Sequence, residues 1–189
     1  MEIVAFGYKK GVGKDTCGKF FSTFLKLEAP DLRIKHISFA AKLKDISFQL
    51  YKWAGLKRGV YYETHRNEKE IVLPQLGLSP RDIWIAVGNK IREVYSTTWI
   101  DFALHGVKAD ILIITDLRFQ NEFEAVLKAD GIVVKINRLG ISQGNDPAEV
   151  DLDTRPDGQW DYVIHNNGSF QSLNAKIEEI AKDLLKEKE

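Results

Sequence analysis

The run Gly7-Tyr8-Lys9-Lys10-Gly11-Val12-Gly13-Lys14-Asp15-Thr16 constrains this chain more than any other stretch of it. It follows four apolar residues, Ile3-Val4-Ala5-Phe6, and leads into a helical pattern near Thr16. A glycine-rich turn between a buried strand and a helix makes a βα unit, and such units build an α/β sheet. The same turn suits anions. Its backbone N–H groups form a nest, the helix directs its positive N-terminal end at the same point, and Lys14 adds a full charge. A nucleoside triphosphate is the expected ligand.

The layout is that of a P-loop, G-x-x-x-x-G-K-[ST], with two departures. Counted from Gly7, five residues rather than four precede Gly13. The loop therefore reads as one residue too long, with Gly11 absorbing the extra turn. Asp15 stands where a Ser or Thr hydroxyl usually meets Mg²⁺, and Thr16 comes one position late. The loss of that hydroxyl argues against GTPase switches and motor ATPases. Asn89-Lys90-Ile91-Arg92 likewise lacks the aspartate of an Asn-Lys-x-Asp base-reading motif. The expected ATP-binding set in this loop is Lys10, Gly11, Val12, Gly13, Lys14, Asp15 and Thr16, with Asp15 and Thr16 also placed for Mg²⁺.

The 189 residues suit a single domain with a sizeable core. Lys plus Arg and Asp plus Glu both total 27, a net charge of zero that argues against a nucleic-acid coat or a polybasic membrane binder. Cys17 is the only cysteine, which excludes a disulfide framework and a cysteine-rich zinc site and reads as a buried thiol. The four histidines show no metal-ligand spacing, although His65 is a candidate pocket residue. No long apolar stretch or leader-like segment is evident, so a cytoplasmic protein is expected.

Apolar β-branched runs at 3–6, 34–38, 111–115, 132–136 and 162–165 read as buried parallel strands. Helical patterns separate them. Residues 14–27 place Phe20, Phe21, Phe24 and Leu27 on one stripe, and 119–129 gather Phe119, Phe123, Val126 and Leu127. The C-terminal stretch spaces Phe170, Leu173, Ile177, Ile180 and Leu184 as an amphipathic closing helix. Strands alternating with helices imply a doubly wound α/β sheet, with core segments 1–38, 108–137 and 162–189. Residues 39–107 form a mainly helical insertion, in which Ser79 caps a helix with Pro80 in its first turn. Residues 138–161 are polar and Gly/Asp/Pro-rich, a lid-like loop of a length usually tied to function or disorder.

The third strand runs into Asp116-Leu117-Arg118. An aspartate at the C-terminal end of a central strand beside a P-loop is placed to bind Mg²⁺ or its waters, and Arg118 to reach a phosphate. Capping of helix 119–129 is the alternative for Asp116. Lys42, Lys44, Arg66, Arg81 and Arg92 of the insertion are solvated charges taken singly and a phosphomonoester pocket taken together. Phe39, Tyr62, Trp84 and Trp99 are core residues or a sandwich for a base. Arg138 and Arg155 are solvated loop residues or lid arginines that offset transition-state charge. His165-Asn166-Asn167-Gly168-Ser169 reads as a tight turn at the strand ends, with Ser169 capping the last helix and Asn166 and Gly168 near the nucleotide.

Several motifs occur in a telling order: Gly13-Lys14-Asp15-Thr16, Ser38-Phe39-Ala40 with Leu43-Lys44, Ser79-Pro80-Arg81 with Gly88 and Arg92, Asp116-Leu117-Arg118-Phe119 with Asn121-Glu122, and Ile164 through Ser169. In this the chain resembles the phage-type deoxynucleoside monophosphate kinases, a branch of the P-loop kinases. The resemblance covers nearly the whole chain and is most specific at the GKDT loop and the D-x-R-F-x-N-E stretch. It implies a three-layer α/β fold, a five-stranded parallel sheet with a helical substrate-binding insertion and a lid. It implies ATP and Mg²⁺ as cofactors and conversion of a dNMP to a dNDP. By resemblance, Lys14 bridges the donor phosphates. Lys44, Arg66 and Arg81 belong to the acceptor side, where Phe39 and Trp99 are candidate substrate contacts from their aromatic character rather than from the resemblance. Asp116, Arg118 and Glu122 sit where donor, metal and acceptor meet, and Arg138 is the lid-side arginine. Lys14, Arg118 and Arg138 form the catalytic set. The lid departs from the expected His-x-x-Glu-like pattern, reading Asp146-Pro147-Ala148-Glu149. A dephospho-coenzyme A or phosphomevalonate type of acceptor, and a non-catalytic nucleotide-binding module, are the alternatives. The expected partner is a small-molecule dNMP, with no nucleic acid and no membrane. The oligomeric state is left open, with a homodimer as the candidate because homodimers are the commonest oligomers, and the base preference is left open too.

Overall fold

A computed structural model of the chain describes residues 1–141 and 147–186. In chain order the first elements are strand β1 (Glu2–Gly7), helix α1 (Lys14–Glu28) and strand β2 (Ile34–Ile37). Helices α2 (Ala41–Tyr51), α3 (Tyr61–Thr64), α4 (Pro80–Val94) and α5 (Thr98–Leu104) follow. The chain then returns through strand β3 (Ile111–Leu117), helix α6 (Gln120–Lys128), strand β4 (Ile132–Asn137), helix α7 (Pro147–Val150), strand β5 (Tyr162–His165) and helix α8 (Phe170–Lys186).

Two compact units result, one of residues 1–38 and 107–189 and one of residues 39–106. The first is an α/β sandwich on a five-stranded sheet of order β2-β3-β1-β4-β5, with every adjacent pair parallel. This is the α/β fold class expected from the sequence. The strand readings hold to within two residues at each end.

Strand residues alternate between two buried faces. Val4, Phe6, Ile111, Ile113, Val134 and Ile136 pack with Cys17, Phe21 and Leu25 of α1 and Leu173, Ile177, Ile180 and Leu184 of α8. Helix α6 packs against β1 and β4, contributing the buried Phe123 and Val126. Burial on both faces explains why β1, β3 and β4 read as continuous apolar runs. The edge strand β2 is not buried as expected, because it has a neighbour on one side only and leaves Lys35 and His36 exposed. Two helix stripes hold except at one end each: Phe20, Phe21 and Phe24 of α1 and Leu173, Ile177, Ile180 and Leu184 of α8 lie in or against the core, but Leu27 and Phe170 do not. Leu27 is 75% exposed, because α1 buries the line Cys17, Phe21, Leu25 instead. Gly18 beside Cys17 lets α1 approach β3 so closely that an added Cβ would lie 2.5 Å from Thr115 Cγ2. Phe170, the first residue of α8, is 74% exposed.

Register matters at one point. Ala5 pairs with Ile114 but Gly7 with Leu117, so two steps along β1 face three along β3. This bulge falls at Thr115-Asp116, and a bulge re-aims the side chains it carries.

The helical unit has its own small core of Leu56, Tyr62 and Ile83, with Trp84 and Val87 against it. Helix α4 begins as its sequence predicts. The Ser79 side chain accepts the Asp82 amide at 3.2 Å, Asp82 accepts the Ser79 amide at 2.9 Å, and Pro80 fills the first turn. Among the described residues no helix is long and apolar enough to cross a membrane.

Candidate functional site

The glycine-rich loop is built differently from its sequence reading. Gly7 is the last residue of β1, and the loop opens at Tyr8, whose φ is +93°. From Tyr8 to Gly13 four residues intervene, which is the ordinary P-loop spacing. The loop is therefore not one residue too long; Tyr8 occupies the place of the first loop glycine. Gly7 answers a different need, because a Cβ there would lie 2.9 Å from the Trp160 ring and 3.0 Å from Leu117. The spacing was present in the sequence, but a tyrosine in a left-handed backbone position gives no local signal.

A non-glycine residue in that conformation costs about 1–2 kcal/mol, so the surroundings must hold it. They do so through the Tyr8 side chain. Lys135 Nζ lies 4.3 Å from the ring centroid and Lys9 Nζ 5.1 Å from it. Each lysine is paired in turn, Lys9 with Asp153 at 2.9 Å and Lys135 with Asp157 at 2.8 Å. Burial, then a hydrogen bond to Asp153 and the charges of Asp153 and Asp157, push the Tyr8 phenol up to about 12. Tyr8 and Lys9 lie in the run that the sequence singles out, but nothing in the sequence ties Lys135, Asp153 or Asp157 to it.

At its other end the loop turns through Gly11 (φ +78°) and Gly13 (φ +107°) into α1. Val12 is buried in the core, anchoring the loop from below. Asn166 Nδ2 donates to the Val12 carbonyl at 2.8 Å, and Gly168 lies beyond it in the same turn. Asn166, expected near the nucleotide, here supports the loop that would hold it. Ser169 Oγ accepts the Ser172 amide at 3.2 Å, capping α8 as predicted.

Lys14 is buried, and its ammonium donates to the carbonyl of Tyr8 at 3.0 Å and to that of Lys9. Burial, then the nearby Arg118, pushes it down to about 7, with Glu149, Asp15 and Asp116 acting in the opposite sense. A buried ammonium beside a guanidinium is a strong electrostatic receptor for a polyanion. Cys17, one turn into α1, is buried and its thiol is pushed up to about 12 by that burial, as an inert core residue.

The bulge in β3 carries two oxygen-bearing side chains, Thr115 and Asp116. Thr115 Oγ1 donates to Asp15 Oδ1 at 2.8 Å, and Ser38 Oγ donates to Asp116 Oδ2 at 2.6 Å. Each carboxylate is thus oriented by a hydroxyl, and both act on Lys14. Among the described residues no cluster of three or more metal-type side chains exists. One or two carboxylates suffice for Mg²⁺ when phosphates and waters complete its shell, so this donor set fits that ion. Thr16, half-buried, follows in the first turn of α1.

Asp116 is not the cap of α6. That work falls to Glu122, which is buried and accepts the amides of Arg118 at 2.9 Å and Phe119 at 3.2 Å. The Arg118 guanidinium pairs with Glu149, which also accepts the Lys10 loop amide at 2.7 Å. Glu149 is only 10% exposed. Arg155 pairs with Glu124 and lies 4.3 Å from the Phe123 ring centroid, a structural strut under the segment. Arg138 is exposed and makes no ion pair among the described residues. Of the Asp146-to-Glu149 stretch, Asp146 lies outside the described residues.

The helical unit gathers cations of its own. Lys44 pairs with Glu63 at 3.4 Å and lies 5.6 Å from the Trp84 ring centroid, while Arg81 pairs with Glu70 at 2.6 Å. Arg66 donates to the Glu63 carbonyl at 3.4 Å. Lys69, which the sequence reading passed over, joins them: burial lowers its pKa, Glu63 opposes, and the charges of Lys44, Arg66 and Arg81 lower it further. Phe39 and Trp99 are instead packed inside, the Trp99 indole donating to the Gly88 carbonyl at 3.2 Å. In this structure they are core residues rather than exposed stacking faces. His65 stacks on Tyr61 at 4.1 Å.

No established protein-family profile matches the chain. A protein of Acanthamoeba polyphaga mimivirus described as "Putative deoxynucleotide monophosphate kinase" is 36% identical over 67 residues, 35% of this chain. The match spans about a third, 34%, of that relative's length. Among solved structures, shikimate kinase from Acinetobacter baumannii in complex with shikimate aligns over 100% of this chain and 95% of its own, at 15% identity and a TM-score of 0.45. Shikimate kinase from Aquifex aeolicus aligns over 97% and 96%, at 13% identity and 0.42.

Proposed function

We propose that the protein is a phosphotransferase that moves the γ-phosphoryl group of ATP to a deoxynucleoside 5′-monophosphate, giving a dNDP and ADP. The observation that carries this reading is the loop Tyr8–Lys14, with ordinary P-loop spacing, a buried Lys14 ammonium and Arg118 beside it. The partial likeness to the mimivirus protein supports the acceptor class.

In this reading an oxygen of the acceptor phosphate attacks the γ-phosphorus in line with the bridging oxygen. The new O–P bond forms as the bond to ADP breaks, and no covalent enzyme intermediate arises. The acceptor oxygen is already anionic, so no general base is required. The loop amides and Lys14 hold the donor phosphates, and Arg118 spreads the charge that develops on the transferring group. Asp15 and Asp116 would hold Mg²⁺, directly or through water, and the ion would neutralise phosphate charge. Lys44, Arg66 and Arg81 receive the acceptor phosphate, and Lys69 adds to their field. Arg138 is the lid-side arginine.

The test is a coupled ADP-release assay with ATP and Mg²⁺ against dGMP, dTMP, dCMP, dAMP, dephospho-coenzyme A and phosphomevalonate. A dNMP should stimulate ADP release, and Lys14→Ala should abolish it with the fold intact. Turnover with a non-nucleotide acceptor alone, or full turnover by Lys14→Ala, would refute the reading.

A further inference from the structure

We propose that Glu149 is an internal stand-in for phosphate, a carboxylate that nucleotide must displace from the loop. The inference rests on the nucleotide-binding reading above and adds the regulation of that site. Its carboxylate takes the two kinds of donor that a phosphate needs there. One oxygen accepts the Lys10 loop amide at 2.7 Å, and the other takes the Arg118 guanidinium. The Ala148 carbonyl also accepts from Arg118 at 3.4 Å. With a side chain only 10% exposed, Glu149 is a mostly buried charge held by these partners.

The contact belongs to a longer anchorage. Asp151 accepts the Gln120 amide at 2.6 Å, and its carbonyl accepts Gln120 Nε2 at 2.7 Å. Asp153 holds Lys9, and Leu152 is buried. Residues 149–153 thus form a strap tied to the loop and to the start of α6. The amide and the guanidinium cannot serve Glu149 and a phosphate oxygen at full strength together. Binding affinity is reduced by whatever holds the strap in place, as in any two-state competition.

The experiment is calorimetric titration of the full chain with ATP. Glu149→Gln keeps the shape and removes the charge, so it should bind ATP on the order of tenfold more tightly than the parent chain. Combining it with Lys14→Ala should remove the binding, placing ATP at the loop. Hydrogen exchange on the unaltered chain gives a second readout: ATP should slow exchange at residues 8–13 and speed it at 149–153. A fold with Glu149 as a mere structural tie predicts no such opposite signs. Equal or weaker binding by Glu149→Gln, or slower exchange in both segments, would overturn the proposal. If neither protein binds ATP while both remain folded, the nucleotide reading itself has failed and the strap with it. If Lys14-dependent binding persists but Glu149→Gln gains nothing, the strap alone is wrong.

Discussion

Gly13 is the position where one methyl group tests the loop geometry most directly. Its φ of +107° lies in the left-handed region, and an added Cβ would stand 2.6 Å from Asn166 Nδ2. Replacing it with alanine incurs a backbone strain of about 1–2 kcal/mol. Asn166 must also withdraw, taking with it the 2.8 Å bond to the Val12 carbonyl. The loss of that bond adds about 1 kcal/mol. The total for Gly13→Ala is about 2–3 kcal/mol, or about 5–10 °C in Tm for a chain of this size. Urea unfolding, with an unchanged slope, measures it. A double-mutant cycle with Asn166→Ala separates the two causes. In that background the clash is gone, and Gly13→Ala should cost about 1 kcal/mol less. A cost below about 0.5 kcal/mol, or the same cost in both backgrounds, would refute the role assigned to Asn166.

On the proposed nucleotide-binding reading, Lys14 should make ATP binding pH-dependent. Its ammonium is pushed down to about 7, and a bound polyanion must raise that value again. ATP binding should therefore take up a proton above pH 7, with affinity greatest below the lowered pKa and falling as pH rises through it; calorimetry in buffers of different ionisation heat reads the uptake. Folding stability runs the other way, because between about 7 and the ordinary lysine value the unfolded chain holds more protons, so stability should rise with pH there. Ser79→Ala removes the cap of α4 and should cost about 1 kcal/mol by urea unfolding; no change would mean that Pro80 and Asp82 suffice. Glu122→Ala strips the Arg118 and Phe119 amides of their acceptor and should cost about 2 kcal/mol, with α6 amides exchanging faster; an intact exchange pattern would refute the capping role.

Much of the frame is legible without coordinates. The three central strands show as β-branched apolar runs because both sheet faces are covered there, and Ser79-Pro80 and Ser169 announce helix starts through groups a few residues away. Lys14, Asp15 and Arg118 are recognisable from the loop and the strand end. The phenylalanines of α1 mark its inner side, but Leu27 at the end of the stripe is exposed. Apolar bulk marks a helix face only loosely, whereas small residues such as Cys17 and Gly18 decide how near the sheet it can lie.

What the sequence determined by itself was chemistry carried by neighbours: strand, glycine-rich turn, helix, and the charges set into them. What the tertiary structure decided was which residues from distant parts of the chain share that turn. At Tyr8, where the loop opens, the side chain meets Lys135 and Asp153, with Asp157 paired to Lys135, all from 127 or more positions away. Gly7 is required by Trp160, and Glu149 reaches the Lys10 amide across 139 positions. Such pairings follow from sheet register, including the bulge at Thr115-Asp116, and from the burial of Leu152 and Trp160 that brings the strap down. Local propensity encodes neither, because register and burial are properties of the assembled sheet.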